Sequence, residues 1–81
     1  MESNNTVHTR FHKAISLLNE DMRYIDICEK TDIDIRNLYR NRKHEGDKVP
    51  PEWLSAMVTA FGVSAHWLLT GEGSMFGSKP Q

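Results

Sequence analysis

The sequence predicts an all-α fold, a compact bundle of five helices, on three observations. Apolar residues recur at three- and four-residue spacing in successive stretches. No segment alternates apolar and polar residues between turn markers for long enough to read as a strand. Residues suited to helix ends (Asp34, Ser64, Gly62, Gly71) stand where the periodic stretches start or stop. At 81 residues the chain is one domain, near the lower end of what an unaided apolar core can stabilise.

In the first helix Val7, Phe11, Ala14, Ile15 and Leu18 form one stripe, capped by Asn5 or Thr6 and ended by Asn19-Glu20-Asp21. A short second helix runs from about Arg23 to Lys30 and buries Ile27 and Cys28, helped by Tyr24 or Ile25. Thr31-Asp32-Ile33 breaks it. Asp34 can cap a third helix, Ile35 to about Lys43, because its carboxylate can accept from the otherwise unpaired N–H groups of the first turn. This helix is polar, with Leu38 inward and Tyr39 or Ile35 beside it, so its neighbours must hold it in place. After the polar loop His44–Lys48, Pro50-Pro51 favours a new helix start. Leu54, Met57, Val58 and Phe61 define the fourth helix, and Gly62 suits its left-handed end. Ser64 caps a fifth, Ala65 to Thr70, closed by Gly71. The domain is expected over 6–73, with a flexible N-terminus (1–5) and a Gly-, Ser- and Pro-containing tail or linker (74–81).

Several function classes recede on composition. No run approaches the roughly 20 apolar residues of a membrane span, and the start is neither basic nor followed by an apolar stretch, so a soluble cytoplasmic protein is expected. The lone Cys28 has no second cysteine for a disulfide, zinc ribbon or redox motif. His8 and His12 have metal-ligand spacing, but no acidic or cysteine partner completes a site, and they read as solvated. Gly71-Glu72-Gly73 lacks the preceding strand of a phosphate loop, and Ser64 near His66 is a cap beside a surface residue. No catalytic cluster emerges; neither an enzyme, a cofactor, a metal nor a small-molecule substrate is expected.

The net charge is -1 and the pI about 6.4, unpromising for a ligand of nucleic acid. Charge is nonetheless sorted along the chain. From Glu20 to Asp34 six acidic residues face two basic ones; from Arg36 to Lys48 five basic residues face two acidic ones. A short acidic helix, a tight turn and a second helix rich in Arg and Asn have the signature of a helix-turn-helix, with Ile27, Cys28, Ile33 and Leu38 where the two helices must cross closely. Cys28 has a packing role there as a small side chain.

Tyr24 to Arg42 resembles the helix-turn-helix of the lambda-repressor-like (XRE) superfamily. Pro51-Glu52-Trp53-Leu54 and the run Phe61-Gly62-Val63-Ser64-Ala65-His66-Trp67-Leu68-Leu69-Thr70-Gly71-Glu72-Gly73 resemble the end of phage CI-type repressor domains. The likeness covers about Phe11 to Gly73, and its closing run is the more specific half. It implies operator binding as a dimer and transcriptional control in a phage, prophage or mobile element. Three positions depart from the pattern: Asp32 where glycine is preferred in the turn, Tyr24 where a phosphate-anchoring glutamine is common, and Asn41 where a second apolar residue is usual.

With the third helix in the major groove, Arg36, Asn37 and Arg40 are the candidates for base reading. Arg can bond guanine O6 and N7 together, and Asn adenine N6 and N7. Tyr24, Tyr39, Arg42, Lys43 and Lys48 are the candidates for DNA backbone contact. Trp53, at the edge of the fourth-helix stripe, is the candidate for a homodimer interface, whereas Trp67 and Leu68 read as core. The competing reading is a protein-interaction module of the same fold, antirepressor- or antitoxin-like, favoured by the acidic second helix and the low pI.

Overall fold

The structure, a computed structural model, describes residues 6–44 and 47–76. Among these residues five helices follow in order: α1 (Val7–Leu18), α2 (Tyr24–Thr31), α3 (Ile35–Lys43), α4 (Pro51–Phe61) and α5 (Ala65–Thr70). The chain is therefore all-α, as expected. The N-terminal segment 1–5, with the alternative cap Asn5, and tail residues 77–81 lie outside the described residues, as do Glu45 and Gly46.

Local chemistry accounts for most boundaries. Thr6 is the cap of α1, its Oγ1 accepting from the Thr9 N–H at 3.0 Å. Asp34 Oδ1 accepts from the Arg36 N–H at 2.8 Å, and Ser64 Oγ from the Trp67 N–H at 3.1 Å. Each bond satisfies a first-turn donor that has no partner inside its own helix. Gly62 and Gly71 end α4 and α5 with φ of 72° and 83°. α2 runs one residue past the expected stop, to Thr31, closed by the Asp32 N–H donating to the Cys28 carbonyl, while Thr31 Oγ1 donates to the Ile27 carbonyl at 2.8 Å. Asp32 then takes the left-handed conformation, φ 60° and ψ 35°, where a side chain other than glycine's is strained.

Every helix sends an almost fully buried side chain into one core: Phe11 and Ile15 from α1, Ile27, Leu38, Met57, and Leu68 from α5. α2 packs on both α3 and α4, while α5 packs on α1 and α4. Of the two residues expected to help cover α2, Tyr24 is half-buried and Ile25 is exposed. On α3 it is Ile35 that packs on the core edge, and Tyr39 is exposed.

Arg10 is a buried cation on α1, 6% exposed. Its Nε donates to the Leu68 carbonyl at 2.9 Å, near the end of α5, where carbonyls lack helical partners and carry the negative pole of the helix dipole. A Cβ on Gly71 would stand 3.1 Å from Arg10 Nη1, so glycine there meets both a positive φ and a close approach. Residues 74–76, grouped by composition with the loose tail, return to the domain. The Ser64 N–H donates to the Met75 carbonyl at 2.7 Å, Phe76 forms an isolated antiparallel bridge with Val63, and Met75 packs against the core.

Candidate nucleic-acid interface

α3 divides its residues by chemistry. Leu38 and Asn41 are buried and Ile35 partly so, whereas Arg36, Asn37, Tyr39, Arg40, Arg42 and Lys43 are exposed. At about 100° per residue, Arg36, Arg40 and Lys43 fall within an arc of about 60°, opposite Leu38. Asn37 and Tyr39 flank that arc on opposite sides. The base-reading candidates Arg36, Asn37 and Arg40 thus share the outward half of the helix. Arg36 is only loosely held, its Nε 3.8 Å from Asp34 Oδ1 with both side chains solvated, a pair of little energetic weight.

Arg42 takes a different place from its basic neighbours. It lies toward α2, its Nη1 donating to the Tyr24 hydroxyl at 3.3 Å and its guanidinium 5.8 Å from the centre of the Tyr24 ring. Tyr24 and Tyr39 stack face to face, 5.0 Å apart and 2° from parallel. Burial pushes the Tyr24 hydroxyl above its ordinary value of 10.0, with Arg42 opposing, so it stays a neutral phenol. Three of the backbone-contact candidates therefore form one cluster bridging α2 and α3. Sequence spacing put them on two helices but not in contact.

Asn41 resolves the departure noted above. It is 8% exposed and occupies the inward position of α3 itself, three residues after Leu38. Its Nδ2 donates to the Lys48 carbonyl at 3.0 Å, so its Oδ1 faces the other way and accepts from His12 Nε2 at 2.8 Å. The Asn41 backbone carbonyl accepts from His8 Nε2 at 2.6 Å. Both histidines are buried, at 6% and 8% exposure, which overturns their reading as solvated residues. The signal was present in the sequence: His8, Phe11, His12 and Ile15 follow the i, i+3, i+4, i+7 spacing of a core-facing stripe. The two rings lie 4.7 Å apart, and Phe11 meets His12 edge-on at 4.9 Å. His12 Nδ1 is buried without a partner. Burial first, then the positive charge available on His8 and Arg42, holds the His12 imidazole below its ordinary 6.5, against the bond to Asn41.

Lys48 is exposed on the loop that Asn41 ties down. With Asn37, Arg40, Asp47 and Trp53 it rims a recess of about 290 Å³ between α3 and α4. Trp53 is half-buried, its ring stacked on Phe11 at 5.9 Å. Cys28 is 3% exposed between α2 and α3, and burial raises its thiol above the ordinary value, in keeping with a packing role. Among the described residues, no three His, Cys, Asp or Glu side chains are grouped to hold a metal ion, and no helix is long and apolar enough to cross a membrane. No protein-family model, curated protein or solved structure matches the chain.

Proposed function

We propose that the protein binds double-stranded DNA in a sequence-specific way and acts as a repressor-like transcriptional regulator of phage or prophage type. α2 and α3 serve as its helix-turn-helix. The observation that carries this reading is the sorting of α3, whose cations are all exposed while its buried side is only Leu38 and Asn41. Laid in the major groove, α3 offers Arg36, Asn37 and Arg40 to base edges, and Lys43 and Lys48 to phosphates. Arg42, already held against Tyr24, supplies a phosphate contact at the α2 side. The tight turn at Asp32-Ile33-Asp34 and the small Cys28 at the helix contact are what such a pair requires.

Operator binding of this kind uses a homodimer with half-sites about 34 Å apart. The apolar surface best exposed for self-association is Leu69, 60% exposed, beside a groove lined by Pro51, Leu54, Val58 and Leu68. Trp53 serves less well, since its ring already stacks on Phe11. Selecting duplexes from a random pool and titrating the winner with salt tests the reading. A dimer placing Arg42, Lys43 and Lys48 on phosphate should give a log-log slope near about -5.

A second reading has its own support. The exposed carboxylates Glu29, Asp32 and Asp34 line one recess beside α2, suited to a basic protein partner. Recovery of no duplex from the pool, together with a stable heteromeric complex, would favour it.

A further inference from the structure

Nothing in the α3 reading uses the two buried histidines, yet they hold the only polar side chain that α3 buries. The Nδ2 bond to the Lys48 carbonyl fixes the orientation of the Asn41 amide, leaving Oδ1 as the acceptor for His12. The network therefore assigns the proton of neutral His12 to Nε2, and Nδ1 is left as a bare lone pair, buried without a partner. Adding a proton at Nδ1 would create a buried N–H and a buried positive charge with no acceptor. The charged or titratable groups acting on the ring, His8 from α1 and Arg42 from α3, disfavour a further positive charge. On the loop tied by Asn41, the Asp47 and Lys48 side chains are exposed. α4 presents the uncharged Trp53, stacked on Phe11.

We propose that His12 is a positioning residue for α3, and that its protonation unclasps the last turn of α3, with the Lys48 loop, from α1. The neutral ring closes a chain running from His12 through Asn41 to Lys48, while His8 holds the Asn41 carbonyl. A proton can enter at Nδ1 only when the ring reaches water, so acid favours the open arrangement. Opening frees Asn41, and with it the end of α3 carrying Arg42 and Lys43 and the loop carrying Lys48. The coupling is a property of the free protein and does not depend on what α3 binds.

The test uses the full chain without DNA, so its failure is distinct from failure of the DNA-binding reading. Imidazole nitrogen NMR at neutral pH should show His12 protonated on Nε2 alone, and amide hydrogen exchange should be followed in residues 38–43. Relative to intrinsic rates, protection there should fall by up to about tenfold between about pH 7.5 and about pH 5.5, the factor expected when only the open form takes the proton at 6.5. Protection in α5 should hold. His12→Gln, which keeps a donor for Asn41 but does not titrate, should flatten the profile of α3. A His12 tautomer protonated on Nδ1, titration with unchanged α3 protection, or the wild-type profile retained in His12→Gln would each overturn the proposal. The tautomer measurement decides even where the variant fails to fold.

Discussion

The side-chain oxygen of Asn41 lies 2.8 Å from Nε2 of His12, joining α3 to α1 by a hydrogen bond between buried polar groups 29 residues apart. Both partners are more than nine-tenths buried, so neither can be removed alone without leaving the other unsatisfied. Asn41→Ala should cost about 2–3 kcal/mol in urea unfolding. The double variant His12→Phe, Asn41→Leu should be less destabilised than the sum of the two single changes, since it removes donor and acceptor together. Simple additivity in that cycle would count against the pairing.

Stability should depend on pH through the same ring. His12 has a lower proton affinity in the folded chain than its ordinary 6.5, so below that pH the unfolded chain binds more protons than the native one. Unfolding free energy should be flat well above about 6.5 as far as this group is concerned. It should fall as pH drops through that value, by at most about 1.4 kcal/mol per pH unit for one histidine, and level off below the folded value. His12→Gln should remove that part of the slope.

Two left-handed positions give opposite predictions. Asp32, at φ 60°, pays for a side chain where glycine would be at ease, so Asp32→Gly should stabilise by about 0.5–1 kcal/mol and raise Tm by a few degrees. Gly71→Ala should destabilise by more than about 1 kcal/mol, because it adds strain at φ 83° and presses on Arg10 Nη1. Thermal unfolding of the two variants side by side reads both signs.

Arg10 should prove necessary for the seating of α5. Arg10→Met keeps the apolar stem but loses the bond to the Leu68 carbonyl, and should cost about 2 kcal/mol, with exchange rising first in α5. An unchanged denaturation midpoint would show that the bond adds nothing to stability.

The legible parts of the molecule are those fixed by local chemistry. α3 was readable because Asp34 caps it and its cations outnumber its apolar residues, and α5 because Ser64 and Gly71 bracket it. What escaped depends on partners distant in sequence. Asn41 looked like a fault in the apolar pattern of α3 because its partners, His8, His12 and Lys48, lie on α1 and beyond the helix end. Arg10 gave no signal, since only the folded chain brings the end of α5 against it. Within the candidate interface, the outward placement of Arg36, Asn37 and Arg40 followed from helical spacing, whereas the stacking of Tyr24 on Tyr39 required the turn geometry.

The proposed reading helix is tested most directly by duplex binding of Arg36→Ala and Arg40→Ala, measured by fluorescence anisotropy across a salt series, with the exposed Lys13→Ala on α1 as control. Each arginine change should weaken binding to the selected duplex by about 1–3 kcal/mol and relax its sequence preference, while Lys43→Ala weakens all duplexes alike and lowers the salt slope by about 1 for each copy of the chain on the DNA. Folded Arg36→Ala and Arg40→Ala proteins that keep both the affinity and the preference of the wild type would contradict the assignment of α3 as the helix that reads DNA.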